Sequence, residues 1–201
     1  RPTLDPIYSR QDRVSGVVTF RETPVGRISV ALIAGGTCDA NRVTLKTTTD
    51  SAGRYYFLGV SAGSYAVAFN GWNNTGATVE PYYDVCGDNY IKSATSALTV
   101  NSALKKTDLQ ITFPANAATT ADTTPTYRWN PYANAVRYTV TLIQVSPTRL
   151  TVENNTPTQS TSFTSATTLS RGARYWLIVW AYDGPSATDQ IAYGQVYFQV
   201  Q

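Results

Sequence analysis

Leu169-Ser170-Arg171-Gly172-Ala173-Arg174-Tyr175-Trp176-Leu177-Ile178-Val179-Trp180-Ala181-Tyr182-Asp183 decides how the rest of this chain is read. In the period-2 geometry of a strand, Tyr175, Leu177, Val179 and Ala181 fall on one face and Trp176, Ile178, Trp180 and Tyr182 on the other. Both faces are apolar. A strand in a small antiparallel sandwich hides one face in the core and wets the other. The second face therefore asks for a cover that its own domain does not supply. The last strand, 191–200, alternates in the same way, with Val196, Phe198 and Val200 inward and Tyr193, Gln195, Tyr197 and Gln199 outward.

The chain has 201 residues, enough for one large domain or two of about 100. Only 14% of it is charged, against roughly 25% in an average soluble protein, and the net charge is +3. Lys46, Lys92, Lys105 and Lys106 are scattered through the first half and the arginines form no stripe, so a nucleic-acid partner has no electrostatic basis. Thr, Ser, Asn, Gly and Tyr carry the polarity, a bias associated with secreted, strand-rich surface proteins. In that setting Cys38 and Cys86 are expected to form one disulfide rather than remain two buried thiols. No apolar run approaches the ~18 residues of a membrane span, so no membrane insertion is expected. The start at Arg1 without Met fits a leader already removed.

Residues 1–13 carry two prolines, mixed charge and little periodicity, and read as an N-terminal arm whose Ile7 and Tyr8 either dock on a neighbour or fray. From Val14 onward short alternating strands follow one another with turn signals every 8 to 12 residues, the pattern of an all-β sandwich. Strands are expected at 14–20, 27–34 and 43–48. After them comes Thr49-Asp50-Ser51-Ala52-Gly53-Arg54-Tyr55-Tyr56-Phe57, a tight turn in which Asp50 bonds backbone amides and Gly53 supplies a positive φ. Gly63 turns the chain again toward Tyr65, Val67 and Phe69.

Those residues, with Val60, resemble the carboxypeptidase regulatory-like, or prealbumin-like, β-sandwich of bacterial surface proteins, whose hallmark is T-D-x-x-G-x-Y-x-F-x-x-V-x-x-G-x-Y. The resemblance covers 14–113 and implies a closing strand at 108–113. Some relatives carry a Lys-to-Asn crosslink between first and last strands; here 14–20 has no Lys and 109–113 no Asn, so none is expected. Asp50 and the loop acids Glu80, Asp84 and Asp88 do not establish the six to eight converging oxygens that calcium requires. The small-residue stretch 114–124 reads as a linker.

Residues 125–201 hold Trp129-Asn130-Pro131, then Ala135 and Tyr138, then Leu169, Gly172 and Tyr175. This spacing resembles a fibronectin type III domain, although Arg171 stands where that family usually has Pro. The chain is thus expected to be all-β, two tandem antiparallel β-sandwiches (Ig-like or prealbumin-like, then fibronectin type III-like). Trp129 would anchor the second core and the Tyr175 hydroxyl would satisfy nearby backbone. Further strands are expected at 136–145, 149–153, 162–164, 173–182 and 191–200. The fibronectin-like arrangement pairs the last two, which gathers Trp176, Ile178, Trp180, Tyr182, Tyr193 and Tyr197 on one outer surface, extended by Thr139, Thr141 and Ile143. These six form the candidate interface, since large apolar patches mark contact sites and aromatic anchors dominate binding energy.

No His is present, which removes the Ser-His-Asp and Cys-His constellations and the usual zinc sites. With three Glu and no glycine-rich strand-to-helix loop, neither paired-carboxylate chemistry nor nucleotide binding has a basis, and no catalytic residue, metal or cofactor is expected. Asn73-Asn74-Thr75 and Asn154-Asn155-Thr156 match glycosylation sequons but read first as turns. The leading expectation is a secreted or cell-surface structural or adhesion protein that self-associates or packs with other surface proteins. Two alternatives stand beside it. One is a carbohydrate-binding accessory module of a secreted hydrolase, using Trp72, Tyr82, Tyr83 and Tyr90 or the Trp176 and Trp180 platform; the other is a passive spacer.

Overall fold

The computed structural model describes residues 13–201; of the N-terminal arm read over 1–13, only Arg13 lies within them. The chain divides into two compact units, Arg1–Leu104 and Lys105–Gln201. The fold is all-β, built of several antiparallel sheets, as the alternation required.

In the first unit the strands are β1 (Val14–Phe20), β2 (Thr23–Pro24), β3 (Ser29–Ala34), β4 (Val43–Thr48), β5 (Arg54–Phe57), β6 (Gly63–Phe69), β7 (Val85–Lys92), β8 (Leu98–Thr99) and β9 (Ser102–Ala103). β1 pairs antiparallel with β2 and β5 and parallel with β8 and β9, and a second sheet runs β4-β3-β6-β7. Val14, Val18, Tyr55 and Phe57 from the first sheet share one core with Val30, Leu32, Val67 and Phe69 from the second. Tyr55 meets Phe69 edge-to-face across it, ring centroids 5.8 Å apart. The turn into β5 forms as its residues dictate. Asp50 Oδ1 accepts from the amides of Ala52 and Arg54, both at 2.9 Å, and Gly53 takes φ +68° while its carbonyl accepts from Val18 N.

β3 and β6 are also apolar on both faces. Behind the core, Ala31, Ile33, Ala66 and Ala68 form a second buried cluster, covered by Cys38, Val43, Trp72 and Cys86. The Cys38–Cys86 disulfide pins the loop after β3 onto β7 over that face. The first unit thus covers its surplus apolar face with its own staple.

The second unit consists of β10 (Ile111–Phe113), β11 (Ala118–Thr120), β12 (Thr126–Trp129), β13 (Arg137–Ser146), β14 (Leu150–Thr158), β15 (Ser162–Thr164), β16 (Arg174–Tyr182) and β17 (Gln190–Val200). Its sheets run β10-β12-β15 and β11-β17-β16-β13-β14. Tyr127 of β12 reaches Phe198 of β17 at 6.0 Å, and Trp129 meets Tyr138 at 5.5 Å, joining the two sheets through one core. Trp129 is buried, and the buried Tyr175 hydroxyl accepts from Ser170 N at 2.8 Å and donates to Gln144 Oε1 at 3.1 Å, as expected of a corner tyrosine.

The division after Leu104 differs from the expected boundary at 114–124. Residues 108–113 do not close the first sandwich: Ile111 and Phe113 pair with β12, and the Tyr132 hydroxyl donates to Asp108 at 2.7 Å. The physical reason is that the side of β1 not taken by β5 is already occupied by β8 and β9, so β1 has no free side for 108–113 to join. Within 114–124, β11 pairs parallel with β17, making that stretch part of the second unit's sheet.

Candidate functional site

The surface singled out from sequence is the outer face of β13, β16 and β17. Along β16, buried Tyr175, Leu177, Val179 and Ala181 alternate with half-buried Trp176, Ile178 and Trp180, so the period-2 assignment holds from Tyr175 to Ala181. Pairing sets three rows across the sheet. Ile143, Trp176 and Tyr197 form one; Thr141, Ile178 and Gln195 the next; Thr139, Trp180 and Tyr193 the third.

Neighbouring rings on this face stack on one another. Trp176 and Tyr197 lie 11° from parallel with centroids 5.8 Å apart, and Trp180 and Tyr193 are tilted at 35° and 4.6 Å. Such pairs are worth about 0.5 to 1.5 kcal/mol each beyond the area they bury. The Trp176 indole N–H donates to Gln195 Oε1 at 3.0 Å, which holds that ring in place.

Cations flank the rows. The Arg174 guanidinium sits 5.2 Å from the Tyr197 ring, and Lys105 Nζ sits 5.4 Å from the Trp180 ring. Lys105 also donates to Gln190 Oε1, and burial pulls its pKa below the ordinary ammonium value.

Tyr182 departs from the expected interface. It is 3% exposed. The Arg137 guanidinium lies 3.8 Å from its ring while donating to the carbonyls of Gly184, Pro185 and Ser186, so a loop is strapped over it. The Tyr182 hydroxyl is taken up with Gln190 and Thr139, at 2.9 and 3.3 Å. Trp176, Ile178, Trp180, Tyr193 and Tyr197 remain half-buried on the face.

The loop aromatics considered for sugar binding are placed differently. Trp72 packs on the Ala31, Ile33, Ala66 and Ala68 cluster, Tyr82 packs on the first core and meets Phe20 edge-to-face at 5.7 Å, and Tyr90 lies on β7 against the same core. Of the four, Tyr83 is exposed. Among the described residues no three His, Cys, Asp or Glu side chains gather as metal ligands, and Asp50 is engaged in its turn. No helix of the described residues is long and apolar enough to cross a membrane.

No family model matches this chain, and no curated protein does. Among solved structures it is similar to a DUF3823 family protein from Bacteroides uniformis, at 11% identity and TM-score 0.32, over 94% of this chain and 99% of that one. It is also similar to the major pilin subunit of Bacillus cereus, at 13% identity and TM-score 0.36, over 94% of this chain and 69% of the pilin. The Bacillus anthracis TIE protein aligns at 11% identity and TM-score 0.37, with 94% of this chain spanning 31% of that one. Similarities this distant carry no argument about activity or partners.

Proposed function

We propose that this chain is a non-enzymatic, extracellular structural or adhesion protein whose second unit packs against another copy, or another surface protein, through the outer face of β13, β16 and β17. The observation that carries the reading is the half-buried aromatic face itself. Trp176 with Tyr197 and Trp180 with Tyr193 are held in fixed pairs before any partner arrives, so docking them costs little side-chain ordering. The disulfide supports an oxidising compartment, and the absence of His from the sequence supports a role without catalysis. The sheet orders, with Trp129 in the core and Tyr175 at its corner, support the fibronectin type III-like reading of the second unit. The hallmark turn at Asp50 supports the carboxypeptidase regulatory-like reading of the first.

Sedimentation velocity over a range of concentrations tests the proposal. The wild-type chain is expected to form species larger than a monomer, and a Trp176→Ser, Trp180→Ser double variant to lose them. A wild-type chain that stays monomeric throughout would refute packing against another copy and leave a different surface protein as the partner, or a passive spacer. Saturable quenching of tryptophan fluorescence by a neutral polysaccharide, removed by the same double variant, would instead favour the sugar-platform reading of this face.

A further inference from the structure

The outer face of the first unit's β1 sheet carries a shallow trough lined by Arg13, Arg54, Tyr56, Ser15, Thr99 and Asn101, among others, with no Asp or Glu among the described residues of its lining. Register explains the grouping. Ser15 pairs with Tyr56 on one side and with Thr99 on the other, and Val17 pairs with Arg54, so the two arginines flank the Tyr56 row from opposite ends. Tyr56 is 62% exposed, on the strand whose neighbours Tyr55 and Phe57 are buried in the core. Arg13 Nε is buried and has no hydrogen-bond partner among the described residues. Asn101 Oδ1 accepts from Val17 N at 2.9 Å, which commits its oxygen and leaves its amide hydrogens to donate.

We infer that this trough binds an acidic sugar, its carboxylate held by Arg13 and Arg54 and its ring laid on Tyr56. A guanidinium fork matches a carboxylate, and the Ser15 and Thr99 hydroxyls with the Asn101 amide suit ring hydroxyls. β1 lies between β5 on one side and β8 and β9 on the other, so a peptide cannot add to β1 at the floor of the trough; strand addition would have to use the outer edge of β5 or β8, outside the Arg13–Tyr56–Arg54 row. A nucleic-acid backbone would call for a wider basic surface than two arginines. The site lies in the first unit and does not depend on the aromatic face of the second.

Isothermal titration of the whole chain with an oligogalacturonate, its methyl ester and trialanine tests this. The oligogalacturonate is expected to bind saturably, and Arg54→Gln or Tyr56→Ser to weaken it at least about tenfold, the scale of a lost charged hydrogen bond. The methyl ester is expected to lose the same amount, and Trp180→Ser to change nothing. Arg54 and Tyr56 are exposed, so the variants should keep the wild-type unfolding temperature. Absence of saturable binding, equal binding of ester and acid, indifference to both substitutions, or trialanine binding as tightly as the oligosaccharide would each overturn the assignment.

Discussion

Removing the Cys38–Cys86 disulfide should cost the first unit about 4 kcal/mol. The bond joins residues 48 apart in sequence, and the chain-entropy relation for a loop of that size gives about 4 kcal/mol at 25 °C. The bond also lies over Ala31, Ile33, Ala66 and Ala68, so the loss should register on β3 and β6. The perturbation is the Cys38→Ala, Cys86→Ala double variant, and the assay is native-state hydrogen exchange read strand by strand. The slowest amides of β3 and β6 should exchange about a thousandfold faster, the equivalent of that free energy, while β13, β16 and β17 keep their protection. Equal protection in the variant would refute the idea that the bond holds the cover of this face. A uniform loss in both units would refute its being local to the first.

Other outcomes follow from particular contacts. The Thr49 hydroxyl accepts from Ile28 N at 2.9 Å and donates to Val25 O at 2.8 Å. Thr49→Val should therefore cost about 2 kcal/mol in urea unfolding, by stranding an amide and a carbonyl. A Cβ at Gly16 would stand 1.8 Å from the Val100 carbonyl oxygen, so Gly16→Ala should force β1 away from β8 and lower stability by about 3 kcal/mol. Burial raises the Tyr55 and Tyr127 phenols well above their ordinary value. The unfolded chain then loses these protons first as pH climbs past about 10, so each unit should lose stability at about 1.4 kcal/mol per pH unit above it. Lys105, whose pKa is lowered, acts in the opposite direction in the second unit, since there the unfolded state holds the proton longer. Alkaline unfolding should therefore set in more steeply in the first unit, and Tyr55→Phe should flatten its slope.

Much of this structure was legible in the sequence because period-2 patterning is local. β1, β4 and β15 begin and end where alternation said, and the inward and outward sets of β17, and of β16 except Tyr182, match their burial. β7 was not visible because Gly87, Asp88 and Asn89 interrupt it with turn formers; Asn89 takes φ +64°, and the register shifts between Tyr65 and Val67. The assignment of 108–113 failed for a different reason. Which sheet a short strand joins depends on which edge is still open, and β8 and β9, two residues each, carry no pattern to announce that they fill it. Tyr182 sits at a register shift and is covered by Arg137 from another strand, a contact set by tertiary placement. The cover over Ala31 and Ile33 is likewise a long-range contact, although the unbroken apolar run Val30-Ala31-Leu32-Ile33 was its available signal.

The aromatic face is tested most directly by hydroxyl-radical labelling of the wild-type chain at low and at high concentration. The account predicts that modification of Trp176, Trp180, Tyr193 and Tyr197 falls as concentration rises, while Leu150, also exposed in the second unit, stays equally reactive. Rings that label as strongly in concentrated solution as in dilute, with larger species present, would mean that the chain assembles through some other surface.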